Sequence, residues 1–273
     1  MEKSLQKEIN STHQKTLNFS IKLWFIIATL GQWIFAFYIL AFYGKSTLNG
    51  QFEKWNDVLP HGYDKTAPFN NWVVGIHLLF AFIMVVCGPL QLIPQIRKHF
   101  PTFHRYLGRV FIPLAILMAL DGLTMRLLHG FEKRTFQGIN ISFQAITIII
   151  FAIMAYKTAR KRDFANHRIW AIRLFLVVSG VWFFRVGLMG WILIMGSPLG
   201  IDMKAFDGPF LWFLSFFVYT LPIQLIVFEM TLYAQKTKNQ AFTIITSITV
   251  FVFTVIMTIG IIGATMGLWL PRI

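Results

Sequence analysis

The chain has 273 residues, of which 56% are hydrophobic and only 13% charged, where soluble domains carry about a quarter charged residues. That balance excludes a soluble globular protein and points to an integral membrane protein built around one helical domain. The net charge of +14 lies mostly in loops between apolar runs, where it sets orientation and meets anionic lipid, so the partner it implies is the bilayer and not nucleic acid.

Residues 1–22 are polar and read as a cytoplasmic tail. No cleavable signal peptide is visible there, and Leu5, Ile9 and Leu17 fall near helical spacing, which suits a helix lying on the membrane surface. Residues 23–273 read as a single transmembrane helical domain. A spanning helix needs about 20 mostly apolar residues. Seven segments meet that need: 23–43, 72–94, 107–128, 139–157, 169–195, 210–234 and 242–268. They are too long and too uniformly apolar for barrel strands, so the fold class is all-α, a polytopic transmembrane bundle of about seven spans. With the N-terminus inside, the inner segments carry twice as many Lys and Arg as the outer ones, which predicts N-terminus inside and C-terminus outside. The longest outer loop, 44–71, holds Trp55, His61 and Tyr63 and is expected to cap the outer face. Cys87 is the single cysteine and lies inside a span, so no internal disulfide forms.

The second span ends in CGPLQLIPQIRK, where Pro89 and Pro94 predict a kinked or broken inner end. The third and fifth spans begin alike. FPTFHRYLGR at 100–109 and FANHRIWAIR at 164–173 each place His-Arg at the boundary between a basic loop and an apolar run. Both spans run from inside to outside, so His104 and His167 stand at one inner depth, just before their helices, with Arg109 and Arg173 about a turn further in. Positive charge at a helix N-terminus opposes the helix dipole. Topology alone accounts for such charges. So does an anion site, in which two helix N-termini with Arg105, Arg109, Arg168 and Arg173 bind phosphate, carboxylate or propionate. Histidine adds a further chemistry. Two neutral imidazoles at one depth on two helices can ligate one haem iron axially, with the arginines, Arg97 among them, pairing with the propionates. A quinone headgroup can use the same His and Arg groups, and Gln91 is expected nearby. No zinc signature is present.

Other polar groups sit deeper. His77 lies roughly 8 Å below the outer edge of the second span and would belong to a second, outer site, with His129 as a possible partner. Asp121 lies roughly 21 Å into the third span and Arg185 roughly 24 Å into the fifth. The matched depths predict a structural Asp121–Arg185 ion pair. Glu229 falls at the level of Arg109 and Arg173, one of which is its expected partner, and Arg126 is near enough to the edge to snorkel. Gly263 and Gly267 have the spacing of a helix-packing motif.

Within the core motif region, 72–195, the string formed by His77, GPLQLIPQIR, HRYLGR, RKRDFANHRIWAIR and Arg185 resembles a family of bacterial multi-span membrane proteins of unknown function. The resemblance covers about residues 77–185. It implies a multi-pass protein of the bacterial inner membrane and marks His77, Arg97, His104, Arg109, His167, Arg168, Trp170, Arg173 and Arg185 as family positions. His129 is outside that pattern. A remoter resemblance is to the small cytochrome b membrane proteins, helical bundles whose paired histidines hold haem near the two faces. There the ligands are spread over four helices. Here only three histidines, on the second, third and fifth spans, match. The expectation is a redox-linked membrane protein that binds haem b or quinone at an inner His/Arg site, with His104 and His167 as iron ligands. The alternatives are a binding or transport protein for a small anionic or lipid-like ligand, and a structural or assembly factor.

Overall fold

A computed structural model describes residues 2–59, 62–128 and 136–273, with side chains placed at 12–59, 62–124 and 136–273. His61, His129 and the side chains of Leu5, Ile9 and Arg126 lie outside the described residues. The described chain is helical apart from its connections, with five long apolar helices and two bent pairs, seven spans when each pair is counted once.

The first helix, α1 (Glu2–Ile39), runs on through a π-helical turn at Leu40–Gly44 into α2 (Lys45–Leu48). The polar tail is therefore not a separate surface helix. It extends the first span, and it is tied down where Leu17 is buried and Gln14 Nε2 donates to the Ala234 carbonyl. The loop after α2 folds over this end of the bundle. Its short 3-10 turn, Phe52–Asp57, buries Trp55, whose ring meets Tyr43 edge-on and whose Nε1 donates to Ser46 Oγ at 3.1 Å. The expected cap is thus present.

The second span is α3 (Pro68–Leu92), followed by α4 (Pro94–His99) and α5 (Pro101–Leu128). Each of the three starts on a proline, which fits the first helical turn because its missing N–H has no partner there. The break between α3 and α4 falls at Ile93, held extended (φ −68°, ψ 115°) as residues before proline are. Pro89 stays inside α3, so the expected break occurs at Pro94 alone. The fourth span is α6 (Phe136–Arg160).

The fifth span differs from the straight helix expected. It divides into α7 (Phe164–Val178) and α8 (Gly180–Met195), bent by 50° at Ser179. Gln144 of α6 causes this: its Nε2 donates to the Val177 carbonyl at 2.6 Å, entering the helical ladder from the side. A Cβ at residue 180 would lie 2.0 Å from that Nε2, so any other residue there would push the Gln144 amide off the Val177 carbonyl. Gln32 of α1 donates to Ser179 Oγ at 2.9 Å on the same bend. The sixth span is bent by 46°, between α9 (Pro209–Ser215) with its π turn Phe216–Thr220 and α10 (Ile223–Ala234), where Pro222 interrupts the helix. Here Asn140 bridges Ser215 Oγ at 2.9 Å and Thr220 Oγ1 at 2.8 Å. The last span, α11 (Gln240–Ala264), starts on an Asn239 cap and ends in a π turn at Thr265–Trp269.

Two bodies of packing result. α3, α5, α6 and α7 share one apolar core around Met84, Phe111, Ala152 and Leu174. α6 packs along both α5 and α7, so the third and fifth spans meet across it and α3 instead of along a seam of their own. The second body joins α1, α8 and α11 around Phe35, Tyr38, Trp182 and Trp269. There α8 and α11 touch backbone to backbone. A Cβ on Gly260 would lie 2.3 Å from the Val186 carbonyl, and one on Gly190 would lie 3.1 Å from Gly260 Cα. Such small-residue contact is how helices associate where lipid removes the hydrophobic drive. Gly263 shares this seam, where a Cβ would lie 2.8 Å from the Met189 carbonyl, whereas a Cβ on Gly267 would meet the end of the Met189 side chain.

Candidate functional site

α5 and α7 both start where a basic loop enters the bundle, and each has its histidine as the fourth helical residue, not ahead of the helix. His104 N donates to the Phe100 carbonyl and His167 N to the Asp163 carbonyl, so the two imidazoles hang from equivalent turns. Asp163 caps α7 by accepting from Asn166 Nδ2 at 2.7 Å and Asn166 N at 3.2 Å. Those hydrogen bonds hold its carboxyl below the usual carboxylate range.

Both histidines are half-buried. His167 Nδ1 lies 2.9 Å from the Ala155 carbonyl of α6. A carbonyl only accepts, so Nδ1 carries a proton and its bond to α6 fixes the ring, the arrangement that orients metal-ligating histidines. His104 is held from the backbone side, where Gln91 Nε2 donates to its carbonyl at 3.3 Å. Its ring Nδ1 is buried and has no hydrogen-bond partner. The ring lies within electrostatic reach of His167 and Arg97. An unpaired buried ring nitrogen costs about 1–3 kcal/mol, and a bound group would remove that cost.

The arginines do not converge as expected. Arg173 turns into the bundle, its Nε 2.7 Å from Glu229 Oε1 and its Cζ 4.5 Å over the Trp170 ring, so it is the partner foreseen for Glu229. Arg105 reaches back to Thr102 Oγ1 and Arg109 lies 5.4 Å over Tyr106, both exposed, and Arg168 is exposed as well. Their side chains spread at the membrane border, where guanidinium heads stay hydrated and mutual repulsion is least. The four-arginine anion site read from the sequence is therefore not assembled.

Nearer the opposite end of the bundle, Asp121 pairs with His77 and not with Arg185. His77 Nδ1 lies 2.6 Å from Asp121 Oδ2, with side chains 31% and 14% exposed. The correction follows from packing, because α3 lies along α5 while α8 lies along α11. Depth was matched, but the matching group on the adjacent helix is His77. Arg185 instead stands 5.4 Å over the Phe35 ring of α1.

Residues 74–206 match the family model described as "Predicted membrane protein (DUF2306)". That is the family the motif string resembles. The match covers a little under half of the chain and takes in both histidine turns, the bend at Ser179 and Arg185. The DUF2306 description states no activity. No curated protein and no solved structure matches the chain, so the remoter resemblance to cytochrome b proteins gains no support. Among the described residues no group of three or more His, Cys, Asp and Glu stands together as a metal site, while a haem iron requires only two axial side chains.

Sequence reasoning missed the polar clamps Gln32, Asn140 and Gln144, although all three were visible as amides inside apolar spans. It also missed what surrounds Arg185. The signal there was the density of Tyr and Trp near the ends of the first and last spans.

Proposed function

We propose that this membrane protein is redox-linked and binds haem b, or a quinone headgroup, between His104 and His167. The carrying observation is the buried, unpartnered Nδ1 of His104 at the same helical turn as His167, whose Nδ1 is tied to the Ala155 carbonyl. His167 would ligate iron through Nε2, with its ring fixed by the Ala155 carbonyl, and His104 would supply the second axial nitrogen. Arg97, within electrostatic reach of His104, would meet a propionate. Trp170, held between Phe151 and the Arg173 guanidinium, would form an apolar wall. Haem supplies one-electron transfer when bound, and the protein supplies its axial ligands, its burial and the neighbouring charge that tune potential. A quinone fits the same nitrogen as an acceptor for His104 Nδ1–H.

The test is purification of the full chain from cells supplied with haem. The haem reading predicts a Soret band that shifts on dithionite reduction, present in the wild type and lost in His104→Ala and His167→Ala. A colourless wild type that yields quinone on solvent extraction leaves the quinone form. Neither pigment nor quinone in the wild type overturns the proposal and leaves a structural or assembly role.

A further inference from the structure

Arg185 is a guanidinium inside a span, and such a charge calls for a partner. Among the described residues it makes no ion pair and no hydrogen bond. Its guanidinium stands 5.4 Å over the face of Phe35. Around it stands an aromatic wall drawn from three helices. Phe35 packs on Trp269 at 5.2 Å and on Tyr38 at 6.2 Å. Tyr38 and Trp269 stack at 6.2 Å. Trp182 lies one turn away on the same face of α8. Tyr38, Trp182 and Trp269 are 1%, 2% and 1% exposed. The Tyr38 hydroxyl and both indole N–H groups are buried without a hydrogen-bond partner. The Tyr38 and Tyr43 hydroxyls approach each other but not in hydrogen-bonding geometry.

A second observation points to the same place. The described residues contain three π-helical turns, on the first, sixth and seventh spans. Two of them bring an aromatic residue to this cluster: Tyr43 meets Tyr38 edge-on at 6.0 Å, and Trp269 is part of the wall. Tyr219, on the sixth-span turn, packs on Phe184 in a neighbouring core. π turns are rare, cost helical regularity and mark functional sites. Two of the three stand in the cluster beside an arginine that has no ion pair among the described residues.

The two indole N–H groups and the guanidinium can only donate, and a tyrosine hydroxyl can donate as well. What they lack is an acceptor bearing negative charge. We infer that Arg185 and the buried donors of Tyr38, Trp182 and Trp269 form a binding site for a carboxylate carried on an apolar body. One guanidinium balances one negative charge, and a doubly charged phosphate would leave a net charge buried in the span. The aromatic wall suits an aromatic or aliphatic body. The site lies in the half of the bundle under the Trp55 loop, away from His104 and His167, and stands or falls independently of the haem reading.

The experiment is thermal unfolding of the full chain in lipid nanodiscs with benzoate, octanoate, inorganic phosphate, and the neutral analogues benzyl alcohol and octanol. A saturable rise in midpoint with benzoate or octanoate, and none with the alcohols, is expected. Benzoate acting alone marks a water-borne aromatic acid, and octanoate acting alone marks a fatty acid from the bilayer. Arg185→Gln should lose the response while unfolding at a higher temperature than the wild type without ligand, because an unpaired charge has been removed. Trp269→Phe keeps the ring and loses the N–H, and should weaken binding about fivefold. No midpoint shift with either carboxylate, a larger shift with phosphate, or an equal response in Arg185→Gln overturns the site. Should Arg185→Gln fail to fold, unchanged affinity in Trp269→Phe overturns it.

Discussion

Asp163 shows how one side chain sets the position of another. Its carboxylate caps α7 and its carbonyl receives His167 N, so the cap fixes the turn that carries the ring. The hydrogen bonds from Asn166 hold its folded pKa below the unfolded value. Its contribution to stability is therefore complete above the unfolded carboxylate pKa and is lost as pH falls through the folded one. Asp163→Asn keeps an acceptor for the cap but cannot titrate. The wild type should lose thermal stability on acidification faster than Asp163→Asn over that window. Parallel losses in both proteins would show that this carboxyl does not titrate in the cap. At this scale the sequence was a fair guide to depth and a poor one to partners. It ranked Asp121 and Glu229 as groups needing company, and narrowed the partner of Glu229 to Arg109 or Arg173, of which Arg173 makes the pair. It gave Asp121 the wrong partner because distance along a helix carries no information about which helix lies beside it. His77 was within reach on the adjacent span and Arg185 was not.

Broken helices are the chief feature of the element scale. A stretch of about 20 apolar residues announces a span, and all seven spans were legible for that reason. The bend at Ser179 was not, because it depends on an amide from α6, far away in sequence; the bend at Leu221 stands beside Pro222, a local breaker that the span reading passed over. Freed carbonyls inside a membrane need such partners: Gln144 donates to the Val177 carbonyl at the first bend and Gln224 to the Val218 carbonyl at the second, where Asn140 ties the Ser215 and Thr220 hydroxyls. Gly180→Ala puts a methyl 2.0 Å from Gln144 Nε2 and should cost about 1–3 kcal/mol, as overpacking does. Since the two residues share one contact, Gly180→Ala and Gln144→Ala combined should cost clearly less than the sum of the two alone. Thermal unfolding of the three variants measures this, and strict additivity would show that Gln144 does not hold the bend. The π turns were equally hidden, because local hydropathy is blind to a turn that is one residue wider.

The whole molecule divides its chemistry between its ends and its two packed bodies. α3, α5, α6 and α7 bring His104 and His167 to one end. α1, α8 and α11 enclose Arg185 towards the other. The bend between α7 and α8 lets one span serve both, starting in the first body and finishing in the second. The family match spans that bend. The pairing of the histidines was legible as a repeated motif. That α6 would hold His167 through the Ala155 carbonyl was not, since a backbone acceptor leaves no trace in residue type. The central claim is that both imidazoles face one bound cofactor, and low-temperature electron paramagnetic resonance of the oxidised, haem-supplied protein tests it most directly. The account predicts a low-spin ferric haem with two imidazole ligands in the wild type, converting to high-spin or disappearing in His104→Ala and in His167→Ala. A haem-free wild type, or a low-spin signal unchanged in both variants, would contradict it.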